Sequence, residues 1–91
     1  MNYTTRILGY DITLSKPNSC VACNKKQVPD ILERIIDTQD GELRYIMVLK
    51  CNNCHKISFA VYKIGPEKEL KNISEHSKLS PIEPQSVLVE G

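Results

Sequence analysis

Cys20-Val21-Ala22-Cys23 and Cys51-Asn52-Asn53-Cys54 decide how this chain is read. All four cysteines of the chain sit in these two pairs, separated by the 27 residues from 24 to 50. A two-residue gap lets both thiolates of a pair turn toward one point. Two such turns face to face make a tetrahedral set of four sulfurs, the geometry that suits Zn²⁺. Cys20, Cys23, Cys51 and Cys54 are therefore the expected metal ligands, with one Zn²⁺ per chain. Four thiolates leave no position open for substrate or water, so the metal is expected to be architectural and the protein not an enzyme.

The chain has 91 residues, enough for one small domain. A core of that size is thin, and small folds often add a metal or disulfides. Metal binding relieves the shortage because its free energy is also folding free energy. The core candidates are aliphatic: Ile7, Leu8, Ile12, Leu14, Ile31, Ile35, Ile46, Val48, Ile57 and Val61. The start of the sequence shows no basic region followed by a long apolar run, and no stretch is long enough for a membrane helix. A cytoplasmic location is expected, where paired cysteines stay reduced and read as metal ligands.

Outward from the knuckles, the pattern is mostly β. Arg6 to Leu14 reads as a strand or two short extended pieces. Between the pairs, Asp40-Gly41 is a hairpin signal, and Leu43 to Leu49 is its return strand. The outgoing arm carries Val28, Ile31, Leu32, Ile35 and Ile36, a spacing that also fits a helix capped by Asp30. Strand is the preferred reading because the turn needs a partner arm. Ile57 to Ile64 is a further strand, with Ile57, Phe59 and Val61 on one face. The fold class expected is a small mostly-β zinc ribbon over residues 1–65. Residues 66–91, polar and carrying Pro81 and Pro84, read as an extended or flexible tail with a short turn near Leu70 to Ile73.

Rival chemistries use the same residues. Four thiolates also suit a single iron. Cys51-Asn52-Asn53-Cys54-His55 matches a c-type haem attachment pattern, with His55 as axial ligand and Met47 as a second, but that leaves the first pair without a role. Thiol redox chemistry prefers a Cys-x-x-Cys at a helix N-terminus, and neither pair precedes a helical pattern. His55 otherwise reads as a solvated residue or a hydrogen-bond partner of a ligand sulfur. His76 reads as solvent-exposed, since four sulfurs already satisfy the metal.

The net charge is +1, which gives no broad electrostatic footprint for nucleic acid. Lys25, Lys26, Lys50, Lys56 and Lys63 are nevertheless expected near the metal end, with Tyr45, Phe59 and Tyr62 as stacking surfaces, so a nucleic-acid-binding ribbon is the alternative. The leading expectation is protein contact, through exposed strand edges and the apolar Val87-Leu88-Val89, which also permits a homodimer.

The two pairs, the strand after the second and Leu79-Ser80-Pro81 resemble the N-terminal zinc-ribbon part of a domain-of-unknown-function family. Its members also occur fused to type I restriction endonuclease subunits. The resemblance places Cys20, Cys23, Cys51 and Cys54 on the ligand positions and Leu79-Ser80-Pro81 on the step into a helical domain. Here Ile82 to Gly91 contains Pro84 and then ends, so the expectation is that the helical domain is missing, by truncation or because the gene keeps only the ribbon. What the resemblance implies is a metal-stabilised adaptor in a restriction or phage-defence context.

Overall fold

Asp40 and Gly41 both adopt left-handed backbone angles (φ 53° and 80°) and close a two-residue hairpin turn. The computed structural model, which describes residues 2–89, joins β3 (Asp30–Gln39) to β4 (Glu42–Lys50) through this turn. The strand reading of the outgoing arm therefore holds over the helical one. The second knuckle leads from β4 into β5 (Ile57–Pro66), and β6 (Gln85–Leu88) pairs with the far side of β5. The sheet runs β3-β4-β5-β6 with every neighbour antiparallel. A separate hairpin, β1 (Asn2–Ile7) and β2 (Tyr10–Ser15), turns through Leu8 (φ 49°) and Gly9 (φ 87°).

One face of the large sheet makes the core. Leu43, Tyr45, Met47 and Leu49 of β4 alternate inward, and so do Ala60, Tyr62 and Ile64 of β5. Ile7, Ile12 and Leu14 of the small hairpin, with Leu70, cover them. Tyr62 and Tyr45 pack edge to face, with ring centres 6.3 Å apart, and the Tyr62 hydroxyl donates to the Ser15 carbonyl at 2.9 Å. Of the expected core residues, only Ile7, Ile12 and Leu14 are fully buried, with Ile31 packed partly against them. Ile46, Val48, Ile57 and Val61 are half-buried on the opposite face of the sheet, and Leu8 and Ile35 are exposed. The reason is parity: β4 and β5 carry apolar side chains on both faces, and the tyrosines and Met47 occupy the covered one.

The stretch read as an extended or flexible tail with one short turn is more ordered than that. After a single 3₁₀ turn at Glu67–Glu69, Leu70–Leu79 forms α1. It seats on β2 by serines: Ser74 Oγ donates to the Asp11 carbonyl at 2.6 Å, and Ser77 Oγ accepts the Thr13 N–H at 3.1 Å. Ile82 then bridges beside Leu14, with Ser15 N–H donating to Ile82 O at 2.9 Å, before β6 joins the sheet. Glu90 and Gly91, at the end of that expected tail, lie outside the described residues, as does Met1.

Candidate metal centre

The two knuckles repeat one backbone geometry. Cys20 N–H donates to Lys25 O at 3.1 Å and Asn24 N–H to Cys20 O at 2.9 Å; Cys51 N–H donates to Lys56 O at 3.1 Å and His55 N–H to Cys51 O at 3.0 Å. In each, the residue after the second cysteine takes a left-handed turn, Asn24 at φ 58° and His55 at φ 61°. Asn tolerates this conformation best among residues with a side chain, and His is also enriched there. Inside each turn the backbone points at sulfur: Ala22 N–H lies 3.3 Å from Cys20 Sγ, and Asn53 N–H 3.3 Å from Cys51 Sγ.

The first knuckle sits between β2 and β3, and the second between β4 and β5, so sheet register brings them together at one end of the sheet. The sulfurs meet across the knuckles, Cys20 to Cys54 at 3.6 Å and Cys23 to Cys51 at 3.7 Å. All four Sγ lie within 4.8 Å of one another, close enough for one metal ion to touch each. These separations are far from a disulfide bond of about 2.05 Å, and all four thiols are free. Cys20 and Cys51 are buried while Cys23 and Cys54 are partly exposed, so each knuckle offers one inner and one outer ligand.

The local field prepares thiolate character unevenly. Backbone N–H groups of Cys54 and Asn53 pull the Cys51 thiol down to about 6. Cys23 is lowered by the Lys25 backbone and then the Asn53 side-chain amide, whose Nδ2 lies 3.6 Å from its sulfur. Cys54 receives a lowering hydrogen bond from the Lys56 backbone, but burial and the neighbouring sulfurs outweigh it and push the thiol up to about 11. Asn53 also accepts from Lys25 Nζ at 3.4 Å, which ties the two knuckles together by a second contact that the spacing of the cysteines did not reveal.

The remaining sequence candidates fall elsewhere. His55 serves the knuckle turn and its side chain is exposed; His76 is exposed on α1 and is not part of the four-sulfur group. Met47 is fully buried in the core, which removes it as an axial ligand. Tyr45 and Tyr62 are also buried, so neither offers a stacking surface. Lys63 sits opposite Arg44, six residues along β5 from the knuckle, and does not join the lysines at the metal end. No helix among the described residues is long and apolar enough to cross a membrane. In comparisons with known proteins, the chain matches no family model, no curated protein and no solved structure.

Proposed function

We propose that this chain is a non-enzymatic zinc-binding module, in which one Zn²⁺ held by Cys20, Cys23, Cys51 and Cys54 stabilises a β ribbon that mediates protein contacts. The observation that carries the reading is the pair of sulfur separations, 3.6 and 3.7 Å. Sulfurs about 2.3 Å from a central zinc form a tetrahedron with edges of about 3.8 Å, close to these two separations, which supports a zinc of four thiolates. The metal would supply a cross-link between the knuckles and no reactive position, because all four places go to protein sulfur. The N–H groups aimed at Cys20 and Cys51 orient these ligands and hold their charge. The resemblance described above suggests an adaptor in restriction or phage defence.

Native mass spectrometry with elemental analysis, on protein purified without added metal, tests the reading. One zinc per chain is expected. One iron, covalent haem or a metal-free form with paired disulfides would overturn it.

A second reading, nucleic-acid binding, draws on a specific observation. Lys25, Lys26 and Lys56 are exposed at the metal end, and residues 12–29 and 50–57 contain no Asp or Glu. Reversing these three charges should abolish a salt-sensitive affinity for DNA or RNA. Absence of any such affinity at low salt would end this reading.

A further inference from the structure

The centre of the large sheet's face that points away from the core is apolar, and among the described residues no element covers it. Across the strands, Ile35, Ile46 and Val61 form one row, and Val48, Phe59 and Val87 the next. The small hairpin and α1 both pack on the other side, and the molecule measures only 16 Å along its thinnest axis, the depth of two layers. An antiparallel sheet with one wet face normally shows clean alternation of apolar and polar residues; strands covered on both faces read as continuous apolar runs. Tyr45-Ile46-Met47-Val48-Leu49 and Phe59-Ala60-Val61-Tyr62 are runs of the second kind. The centre of the sheet is thus written for two covered faces, and the described residues cover one.

We propose that this outer face is a dimer interface that stacks against the same face of a second copy of the chain. The proposal deepens the protein-contact half of the reading above and rests on it for the role of the ribbon. Two arguments select a second copy. The first is area: four strands about 4.8 Å apart and four side-chain rows about 6.7 Å apart span about 500 Å² in plan. Side-chain relief raises that toward the roughly 800 Å² per partner of a stable interface. The second is charge. Asp30, Glu33 and Asp37 lie on this face along β3, Glu42 at the start of β4, and Arg44, Lys50 and Lys63 along β4 and β5. Four acids and three bases nearly cancel, so two copies meet with little net repulsion, whereas a nucleic acid or a strongly charged protein would call for one sign. Stacked sheets pack about 10 Å apart with interdigitating side chains, which suits the branched residues at the centre of the patch.

Sedimentation velocity and light scattering on the full-length, zinc-loaded chain test this, with zinc content measured on the same samples. Wild type is expected to be a dimer. Phe59→Glu and Val61→Lys each place a charge at the patch centre without touching the buried core, and each should weaken dimerisation about tenfold or more while keeping one zinc. Leu32→Lys, at an exposed position on the sheet edge, should leave the dimer intact. A wild-type chain that is monomeric at about 100 µM overturns the proposal, as does a dimer unmoved by either patch variant. Should those variants fail to fold, concentration-dependent amide shifts in wild type decide. Shifts at Ile46, Val48, Phe59 and Val61 support the interface; shifts confined to the knuckles or to the strand edges refute it. The two readings fail separately: a zinc-bound monomer ends the interface and spares the metal centre, whereas a zinc-free dimer does the opposite.

Discussion

Stripping the metal with a chelator under reducing conditions should lower the melting temperature of this protein substantially, and the size of the drop follows from where the sulfurs sit. The cross-knuckle contacts join Cys23 to Cys51, 28 residues apart, and Cys20 to Cys54, 34 residues apart. A metal holding both knuckles therefore closes one loop of about 30 residues, which on the chain-entropy account removes about 12 cal/mol/K from the unfolded ensemble, or about 3.7 kcal/mol at 25 °C. That is a lower bound, because structural zinc sites bind with about 10–16 kcal/mol at neutral pH and only part of that survives in the unfolded chain. Small domains total about 5–15 kcal/mol, so the cross-link alone is a large share of stability. At 4–8 °C per kcal/mol for a domain of this size, the loss is about 15–30 °C. Circular dichroism melts of zinc-loaded and stripped protein, each with a reductant, measure it. A shift under about 5 °C would show that the core holds the fold without the knuckles, and the architectural role of the site would be refuted.

Tyr62→Phe should cost about 1–2 kcal/mol in chemical denaturation, since it removes the bond to the half-buried Ser15 carbonyl. Burial, then Glu83 and Tyr45, hold the Tyr62 phenol above its ordinary range. A raised folded pKa contributes stability that is full below the unfolded value of about 10 and is lost as pH rises beyond it. Wild type should thus weaken in alkali more steeply than Tyr62→Phe, and equal slopes would contradict the burial. Leu70→Ala should cost about 2–5 kcal/mol, because Leu70 is where α1 enters the core; a neutral result would return this segment to the status of a tail. Metal uptake at neutral pH should release a proton from Cys54, held up at about 11, while Cys51, at about 6, has already ionised. Zinc affinity should then fall as pH is lowered, most steeply once Cys51 also protonates. Calorimetry in buffers of different ionisation enthalpy reads the proton count, and an affinity flat with pH would exclude thiolate ligation.

The four-cysteine cluster was legible in the sequence because its geometry is local. A two-residue gap fixes the knuckle, and Asp40-Gly41 fixes the hairpin that brings the second knuckle to the first. The segment after β5 was not legible for an equally physical reason. Helix α1 seats on the small hairpin through Ser74 and Ser77, whose hydroxyls meet the Asp11 carbonyl and the Thr13 N–H. A helix that docks by small polar side chains shows little apolar stripe, and Leu70 and Ile73 alone resemble a turn. Nor did strand pairing announce β6, whose partner lies on β5, more than 20 residues back in the chain.

The choice of core face failed in a more instructive way. Alternation tells the inward side of a strand only when the outward side is polar. In β4 the inward set is Leu43, Tyr45, Met47 and Leu49, and the outward set still includes Ile46 and Val48; in β5 Phe59 and Val61 are as apolar as Ala60 and Tyr62. No rule of periodicity separates these sets, because neither was shaped by contact with water alone. Each half-buried apolar residue on that face forgoes part of the about 1.5–3 kcal/mol that full burial brings, and a thin two-layer fold leaves seven apolar residues there. The ambiguity in the sequence and the bare face in the structure are therefore one observation. On the dimer proposed above, a second copy supplies the second inside, and the patch around Val48 and Phe59 is where it would sit.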